Sequence, residues 1–394
     1  MRGYIRKRGN TYSFTIDIGK DEQGKRIQKV VGGFKKEKEA ELACAKMITL
    51  LENGGYVHPS KTTLGEYLIE YMENHSKHEI RASSFQTQMI ILKKRIIPAI
   101  GTIKLQKLTP LIIQKFYTEI LEQGFKATYV KSMHAILKKA LKRAFEWGMI
   151  EKDIASLIKS PRIPSPETTI WTRDEMNKFL SIAKERKLYV VYVLAIYTGM
   201  RKGEILALKW KDCDLDQREV TINKTLTLVD YQLAFDDPKT TRSKRIISLP
   251  EFAATCLKRH KAQQNQDKLK MGTGYKENDL VVATNEGNPL YPTSINADFN
   301  SIIKNTFLPK IRFHDLRHSH ATLLLQMGEN PKVVSERLGH AHIGTTLGTY
   351  SHILPNMQKN LADNFNLIME SPPERTDEED NSTTGGQNVV KFNF

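Results

Sequence analysis

Three stretches of this 394-residue chain carry side chains that could act on a phosphodiester. In the first, Thr198-Gly199-Met200-Arg201-Lys202-Gly203-Glu204, the apolar run Tyr189 to Tyr197 ends at a glycine turn that presents Arg201 before a new helix. A guanidinium held at such a break offers parallel N–H donors to two oxygens of one phosphate. In the second, Arg312-Phe313-His314-Asp315-Leu316-Arg317-His318-Ser319-His320, a helix would set His314 and Arg317 on one face, converging on one anion. The third runs from Leu338-Gly339-His340-Ala341-His342 to Thr349-Tyr350-Ser351-His352 and adds an imidazole and a phenol. A phenol, with a pKa of about 10, is a poor nucleophile at neutral pH, so attack by Tyr350 needs a proton acceptor and a positive field.

Taken singly, each residue has a plainer meaning, Tyr350 as a surface tyrosine and His340 as a capping residue. A metal site built from His314, His318 and His320, with His340 and His342 in reserve, is a rival. It is disfavoured because no thiolate pair accompanies the histidines and an arginine among them would repel a cation. Two arginines, two histidines and a tyrosine together are what a metal-free attack on a phosphodiester needs.

These residues must be positioned by other elements. Gly3 to about Gly33 reads as short strands: Tyr12, Phe14, Ile16 and Ile18 alternate, and Arg26 to Val31 follows a turn-like break. A helix from about Lys35 to Asn53, with Ala40, Ala43, Met47, Leu50 and Leu51 inward, completes a module over 1–56. From Thr63 the period becomes helical, through Leu64, Tyr67, Leu68 and Tyr71. Further helices are expected at Ser84 to Ile97, Thr109 to Gln123 and Ala127 to Trp147, giving a four-helix domain over 63–156. The last helix buries Met133, Leu137, Ala140, Leu141 and Ala144 and turns Lys131, Lys138, Lys139, Lys142 and Arg143 outward, a face that could track a DNA backbone or simply be solvated. A proline-rich linker, Ser160 to Pro166, leads to the third domain, 168–370, mainly helical with strands near Glu219 to Leu228 and Arg245 to Leu249. Residues 371–394 are too polar to bury a core and read as a flexible tail.

Sixty Lys and Arg against 44 Asp and Glu leave a net charge of +16, a field that draws polyanions. Three separated cysteines, Cys44, Cys213 and Cys256, build neither a disulfide framework nor a four-thiolate zinc site and read as buried thiols. No apolar run is long enough to span a membrane, which places the expected setting in a reducing cytoplasm with access to DNA.

In order, spacing and flanking residues, the Arg201 segment, the His-x-x-Arg element at His314 and Arg317, and the Leu-Gly-His and Thr-Tyr-Ser-His run resemble the tyrosine recombinases, over about Thr172 to Leu367. The first two domains resemble more loosely the arm-site and core-site DNA-binding modules of phage and conjugative-transposon integrases. The resemblance implies a mainly α, multidomain protein: a small β-sheet plus helix module, a helical core-binding domain and a mixed α/β catalytic domain. It implies Tyr350 as nucleophile, Arg201 and Arg317 as a clamp on the non-bridging oxygens, and His314 and His340 in proton handling. Lys239, within Pro238 to Arg245 on a turn between two strands, would protonate the leaving 5′ oxygen, with Lys244 or Arg242 as substitutes. Glu204 would orient a neighbour.

The same resemblance implies a 3′-phosphotyrosine intermediate, a Holliday junction, and four protomers on double-stranded DNA with core and arm attachment sites. Arg6, Lys7 and Arg8 are candidate DNA contacts in the first module. No cofactor or metal is expected, and no nucleotide-binding glycine loop occurs. An accessory excision factor and a host DNA-bending protein fit as further partners, at the nucleoid of a bacterial cytoplasm. Met357 to Ile368, with Leu361, Phe365 and Leu367, could dock on a neighbouring protomer. A chromosome-dimer resolvase, a relaxing topoisomerase or a DNA-binding regulator without catalysis would share much of this pattern; the basic module before Gly55 favours integration.

Overall fold

Strand alternation in the first residues produces an antiparallel sheet of β1 (Tyr4–Arg8), β2 (Thr11–Lys20) and β3 (Arg26–Phe34), in that order. One face buries Phe14, Ile16 and Ile18 with Cys44 of α1 (Glu37–Glu52), while Ile5 and Ile27 pack at the edge. The computed structural model describes residues 3–20, 24–52, 60–163, 169–229, 232–237, 244–340, 342–350, 362–363, 365–366 and 369–370. The side chains of residues 19, 20, 50, 345 and 348–350 are outside that description. So are residues 53–59, the end of the proline linker from residue 164, the Lys239 turn, most of Met357 to Ile368, and the polar tail.

Contacts divide the chain into two units, Met1–Glu167 with Leu228–Gln232, and Thr168–Thr227 with Leu233–Phe394. In the first unit, a second apolar core lies among helices. Thr63 caps α2 (Leu64–Tyr71), and Glu66 reaches back to the Thr63 amide at 2.8 Å, satisfying two orphan donors. The helix runs through a π turn, Met72–Ser76, into α3 (Lys77–Glu79). The single helix expected over Ser84 to Ile97 is longer: α4 (Ala82–Ile91) passes through a second π turn, Leu92–Ile96, into α5 (Ile97–Ile100). That wide turn ends two residues before Pro98, which has no N–H to give to the preceding turn, so an ordinary α register would leave a carbonyl unsatisfied there. The core is completed by α6 (Pro110–Glu122), α7 (Ala127–Glu146) and α8 (Ile154–Leu157). Met133, Leu137, Ala140, Leu141 and Ala144 are all fully buried, and the Tyr67 hydroxyl crosses the core to donate to the Ala140 carbonyl at 2.7 Å.

In the second unit Thr172 caps α9 (Arg173–Ala183). Nearly every residue of α10 (Tyr189–Thr198) is buried, as its continuous apolar run requires. After α11 (Lys202–Ala207) come the short strands β4 (Cys213–Asp214), β5 (Glu219–Ile222), β6 (Thr225–Val229), β7 (Gln232–Asp236) and β8 (Arg245–Ser248). The run read as one strand, Glu219 to Leu228, breaks at Asn223-Lys224: β5 joins β4 and β8 in one sheet, and β6 pairs β7 in another. Then follow α12 (Glu251–Met271), α13 (Pro292–Lys304), α14 (Asp315–Gln326), α15 (Pro331–Leu338) and α16 (Ile343–Tyr350). Trp171, Phe179, Tyr192, Phe299 and Phe313 meet tilted or edge-to-face at the centre of the main core. A smaller one, of Ala321, Leu325, Val334 and Leu338, holds α14 against α15.

The expectation of buried cysteines holds for Cys44 and is corrected for Cys213 and Cys256, which are half-buried free thiols at the edge of the main core. No described helix is long and apolar enough to cross a membrane.

Candidate active site

Two helices of the second unit end on left-handed glycines. Gly199 closes α10 with φ 66° and Gly339 closes α15 with φ 68°. Only a residue without Cβ takes this conformation cheaply, and such a cap turns the last carbonyls of the helix outward, where they need donors. Arginines supply them. Arg317, 3% exposed, donates from Nη1 to the Gly199 carbonyl at 2.8 Å and from Nη2 to the Leu338 carbonyl at 2.7 Å, bridging the two helix ends. Arg201 donates from Nη1 to the same Leu338 carbonyl at 3.4 Å and from Nη2 to the Gly339 carbonyl at 3.1 Å. The negative ends of two helix dipoles therefore gather two guanidiniums before any ligand arrives. Unlike Arg317, Arg201 keeps 36% of its side chain exposed and can face an anion.

His314 is the residue that begins α14, with Arg317 one turn on, as their spacing predicts. Its ring reaches solvent, yet the protein crowded around it, then His318 and Arg317, pull its pKa down to about 4. His318 stands edge-on to His314, ring centres 5.3 Å apart. His340 follows Gly339 directly, and burial together with Arg317 and Arg201 takes its pKa to about 4 as well. Both imidazoles are thus neutral at pH 7. The His340 Nδ1 lies 2.8 Å from the hydroxyl of Thr346, one helical turn before Tyr350 in α16. The arginine pair, His314 and His340 are brought together; Tyr350 is the last residue of α16, its side chain outside the description. Lys239 and Arg242 lie outside it too, and Lys244 is exposed.

The rival metal site fails at His320. Its Nδ1 meets the Ile196 carbonyl at 2.8 Å, an acceptor, so Nδ1 carries the proton, and its Nε2 accepts from Arg337 Nε at 3.3 Å. Both nitrogens are spent inside the fold. Among the described residues no group of three or more His, Cys, Asp or Glu side chains is arranged to hold an ion.

Two arginines absent from the sequence-based set complete the scaffold. Arg245 of β8 forks onto Glu204 with contacts of 3.2 and 2.9 Å and donates from Nε to the Arg337 carbonyl at 2.7 Å. Arg337 donates to the Tyr197 carbonyl at 3.1 Å and the Ser248 carbonyl at 3.2 Å. Both could have been found: Arg245 shares its strand face with buried Ile247, and Arg337 stands beside Leu338 on a helix whose Val334 and Leu338 are buried. A cation on a buried face requires a built set of acceptors.

The candidate DNA contacts divide. Arg6 and Arg8 are exposed with Tyr4 on the open face of the first sheet, whereas Lys7 lies on the other face, its ammonium 5.7 Å from the Tyr12 ring. On α7, Lys131, Lys138 and Lys142 are exposed, while Lys139 and Arg143 are tied to Glu79 at 2.7 and 3.4 Å.

Comparison with known proteins adds three matched models: the phage integrase family over residues 170–357, an arm DNA-binding domain over 4–51, and the phage integrase N-terminal SAM-like domain over 63–121. A tyrosine recombinase XerC-like protein of Caldanaerobacter subterraneus subsp. tengcongensis is 28% identical, over 92% of this chain and 97% of its own length. The ICEBs1 integrase of Bacillus subtilis is 30% identical, over 72% of this chain and 78% of its own. Among solved structures, the Tn1549 transposon integrase in complex with transposon right end DNA aligns with a TM-score of 0.65 at 20% identity, covering 76% of this chain and 99% of that one.

Proposed function

The chain belongs to the tyrosine recombinase family, as a site-specific DNA recombinase of the integrase kind, and from that premise we propose that Tyr350 is its nucleophile and that Arg201 and Arg317 hold the scissile phosphate. The Tyr350 hydroxyl attacks phosphorus, the bond from phosphorus to the 5′ oxygen breaks, and a 3′-phosphotyrosine ester replaces the phosphodiester. The phenolic proton passes to His314, neutral at pH 7; His340 steadies the phosphate oxygens; Lys239 protonates the leaving 5′ oxygen. Charge gathers on the non-bridging oxygens in the transition state, where guanidiniums fixed in advance act without reorganising. One ester is exchanged for another, so rejoining needs no nucleotide.

The observation that carries this reading is the convergence of both arginines on the carbonyls of Leu338 and Gly339, in the turn from which His340 and then the helix of Tyr350 depart. In the same reading 1–56 grips arm sites, 63–156 binds the core site, 168–370 carries the chemistry, and 371–394 is a tail. Four protomers exchange strands through a Holliday junction at the nucleoid, and Met357 to Ile368 docks on a neighbour. An excision factor and a host DNA-bending protein assist, and the element moved is a phage or conjugative transposon. DNA copied from the junctions of the chain's element, nicked so that the cleaved fragment escapes, tests the chemistry in EDTA on a denaturing gel. Wild type forms a protein–DNA adduct and Tyr350→Phe binds without forming one; strand cleavage by Tyr350→Phe refutes the mechanism.

A further inference from the structure

Beside the phosphate clamp lies a carboxylate that ought to weaken it. Glu204, 3% exposed, takes the Arg201 amide at 2.9 Å and Arg201 Nη1 at 2.8 Å. These contacts aim the guanidinium, but a full negative charge at that distance also cancels much of the field Arg201 presents to an anion. The two other contacts on Glu204 come from Arg245, one to each oxygen, in the forked geometry that pairs guanidinium with carboxylate. Burial pushes the Glu204 carboxyl up; the hydrogen bonds and charge of Arg245, followed by the charge of Arg201, outweigh burial and keep it below the usual carboxylate range.

Arg245 is turned inward: 7% of its side chain is exposed, and its Nε, Nη1 and Nη2 are given to the Arg337 carbonyl and the two Glu204 oxygens. Its slot is made for it. A Cβ on Gly339 would come within 2.9 Å of Arg245 Nη1 and 3.2 Å of its Cδ, so the glycine that caps α15 is also what lets this side chain through. The Arg337 carbonyl, taken by Arg245 Nε at 2.7 Å, immediately precedes the Leu338 and Gly339 carbonyls that hold Arg201. The triad Arg201, Glu204, Arg245 carries a net charge of +1, and its exposed end is Arg201.

We propose that Arg245 is a positioning residue for DNA cleavage: it takes up the charge of Glu204, so that Glu204 can aim Arg201 while the charge of Arg201 stays available to the scissile phosphate. The inference rests on the reading of Arg201 as a phosphate clamp. It separates two duties that a single arginine–glutamate pair could not combine, because an aiming carboxylate without a second cation would neutralise the residue it aims.

A substitution cycle on the full chain tests it, read as single-turnover cleavage of the nicked core site with DNA in excess and as core-site affinity by fluorescence anisotropy. Arg245→Met is expected to cleave about 100-fold more slowly, the scale of losing one oriented donor to a transition-state oxyanion, with affinity within about threefold of wild type. Adding Glu204→Gln removes the uncompensated charge, so the double variant is expected to cleave at least about tenfold faster than Arg245→Met alone, which a purely structural role does not produce. A folded double variant no faster than Arg245→Met overturns the proposal and leaves the clamp reading standing. Arg201→Ala cleaving at the wild-type rate overturns the clamp, and this inference with it. If Arg245→Met does not fold, Arg245→Lys carries the test: with the charge retained it stays within about tenfold of wild type, and a deeper loss in a folded Arg245→Lys overturns the proposal.

Discussion

Gly199→Ala perturbs the clamp without touching a charged group. The left-handed backbone at this position costs a residue with Cβ about 1 kcal/mol. The added carbon would stand 2.7 Å from Cδ2 of His320 and 2.8 Å from Cδ2 of Leu338, both in the interior, and such overpacking costs about 1–3 kcal/mol. The total of about 2–4 kcal/mol lowers the melting temperature of a unit this size by roughly 5–15 °C. The effect reaches catalysis because Leu338 carries the carbonyl that both arginines share, and the Gly199 carbonyl itself holds Arg317. Moving either acceptor re-aims the guanidiniums, and a misplacement approaching about 1 Å costs about 100-fold in rate. Differential scanning calorimetry and single-turnover cleavage at 20 °C, where the variant stays folded, measure the two effects separately. A variant that melts with wild type and cleaves at its rate would show that these carbonyls do not set the clamp.

Acid should destabilise the second unit through His320. Burial, with Arg337 beside it, holds this imidazole at about 3, against about 6.5 in an unfolded chain. The unfolded state therefore binds the proton first: the contribution is complete above pH 6.5 and falls as pH drops toward 3, by about 1.4 kcal/mol per unit. Urea titrations at pH 7.5, 6.5 and 5.5 should show a slope that His320→Gln reduces by about that amount, and an unchanged slope would contradict the assignment. On α7, Lys131→Ala, Lys138→Ala and Lys142→Ala should each lower the salt dependence of core-site binding by about one counterion. Lys139→Ala should lower it less, and Glu79→Gln should tighten binding, because Glu79 already holds Lys139 at 2.7 Å. Equal effects from all four lysines in anisotropy titrations would refute that division.

What could be read from the chain follows physical lines. Helix ends and faces were legible because they are local: the buried stripe of α7, the cap at Thr63 and the glycine after Tyr189 to Thr198 all depend on neighbours a few residues apart. The grouping of Arg201, His314, Arg317 and His340 was legible through family resemblance, since nothing local says that residues more than a hundred positions apart meet. What escaped was the support beneath them. Arg245 looked like one of several basic residues after a turn, and its pairing with Glu204 spans 41 positions. His320 belongs to the disfavoured metal reading, and what its two nitrogens do face, a carbonyl and an arginine, lies more than a dozen positions away in each case. The π turn before Pro98 was hidden because a helix continuing through a proline reads the same from either side.

The residues that prepare the site for phosphate also lock the fold. Arg317 joins the ends of α10 and α15, and Arg245 joins β8 to α11 and α15; losing Arg317 would take a donor from the Gly199 and Leu338 carbonyls, and losing Arg245 would take two from the Glu204 carboxylate and one from the Arg337 carbonyl. A descendant that abandoned recombination would still gain stability from these arginines, so selection for architecture alone would favour keeping them after activity had gone. In a lineage of such chains, the guanidinium scaffold should therefore survive as the mould of a reaction no longer performed.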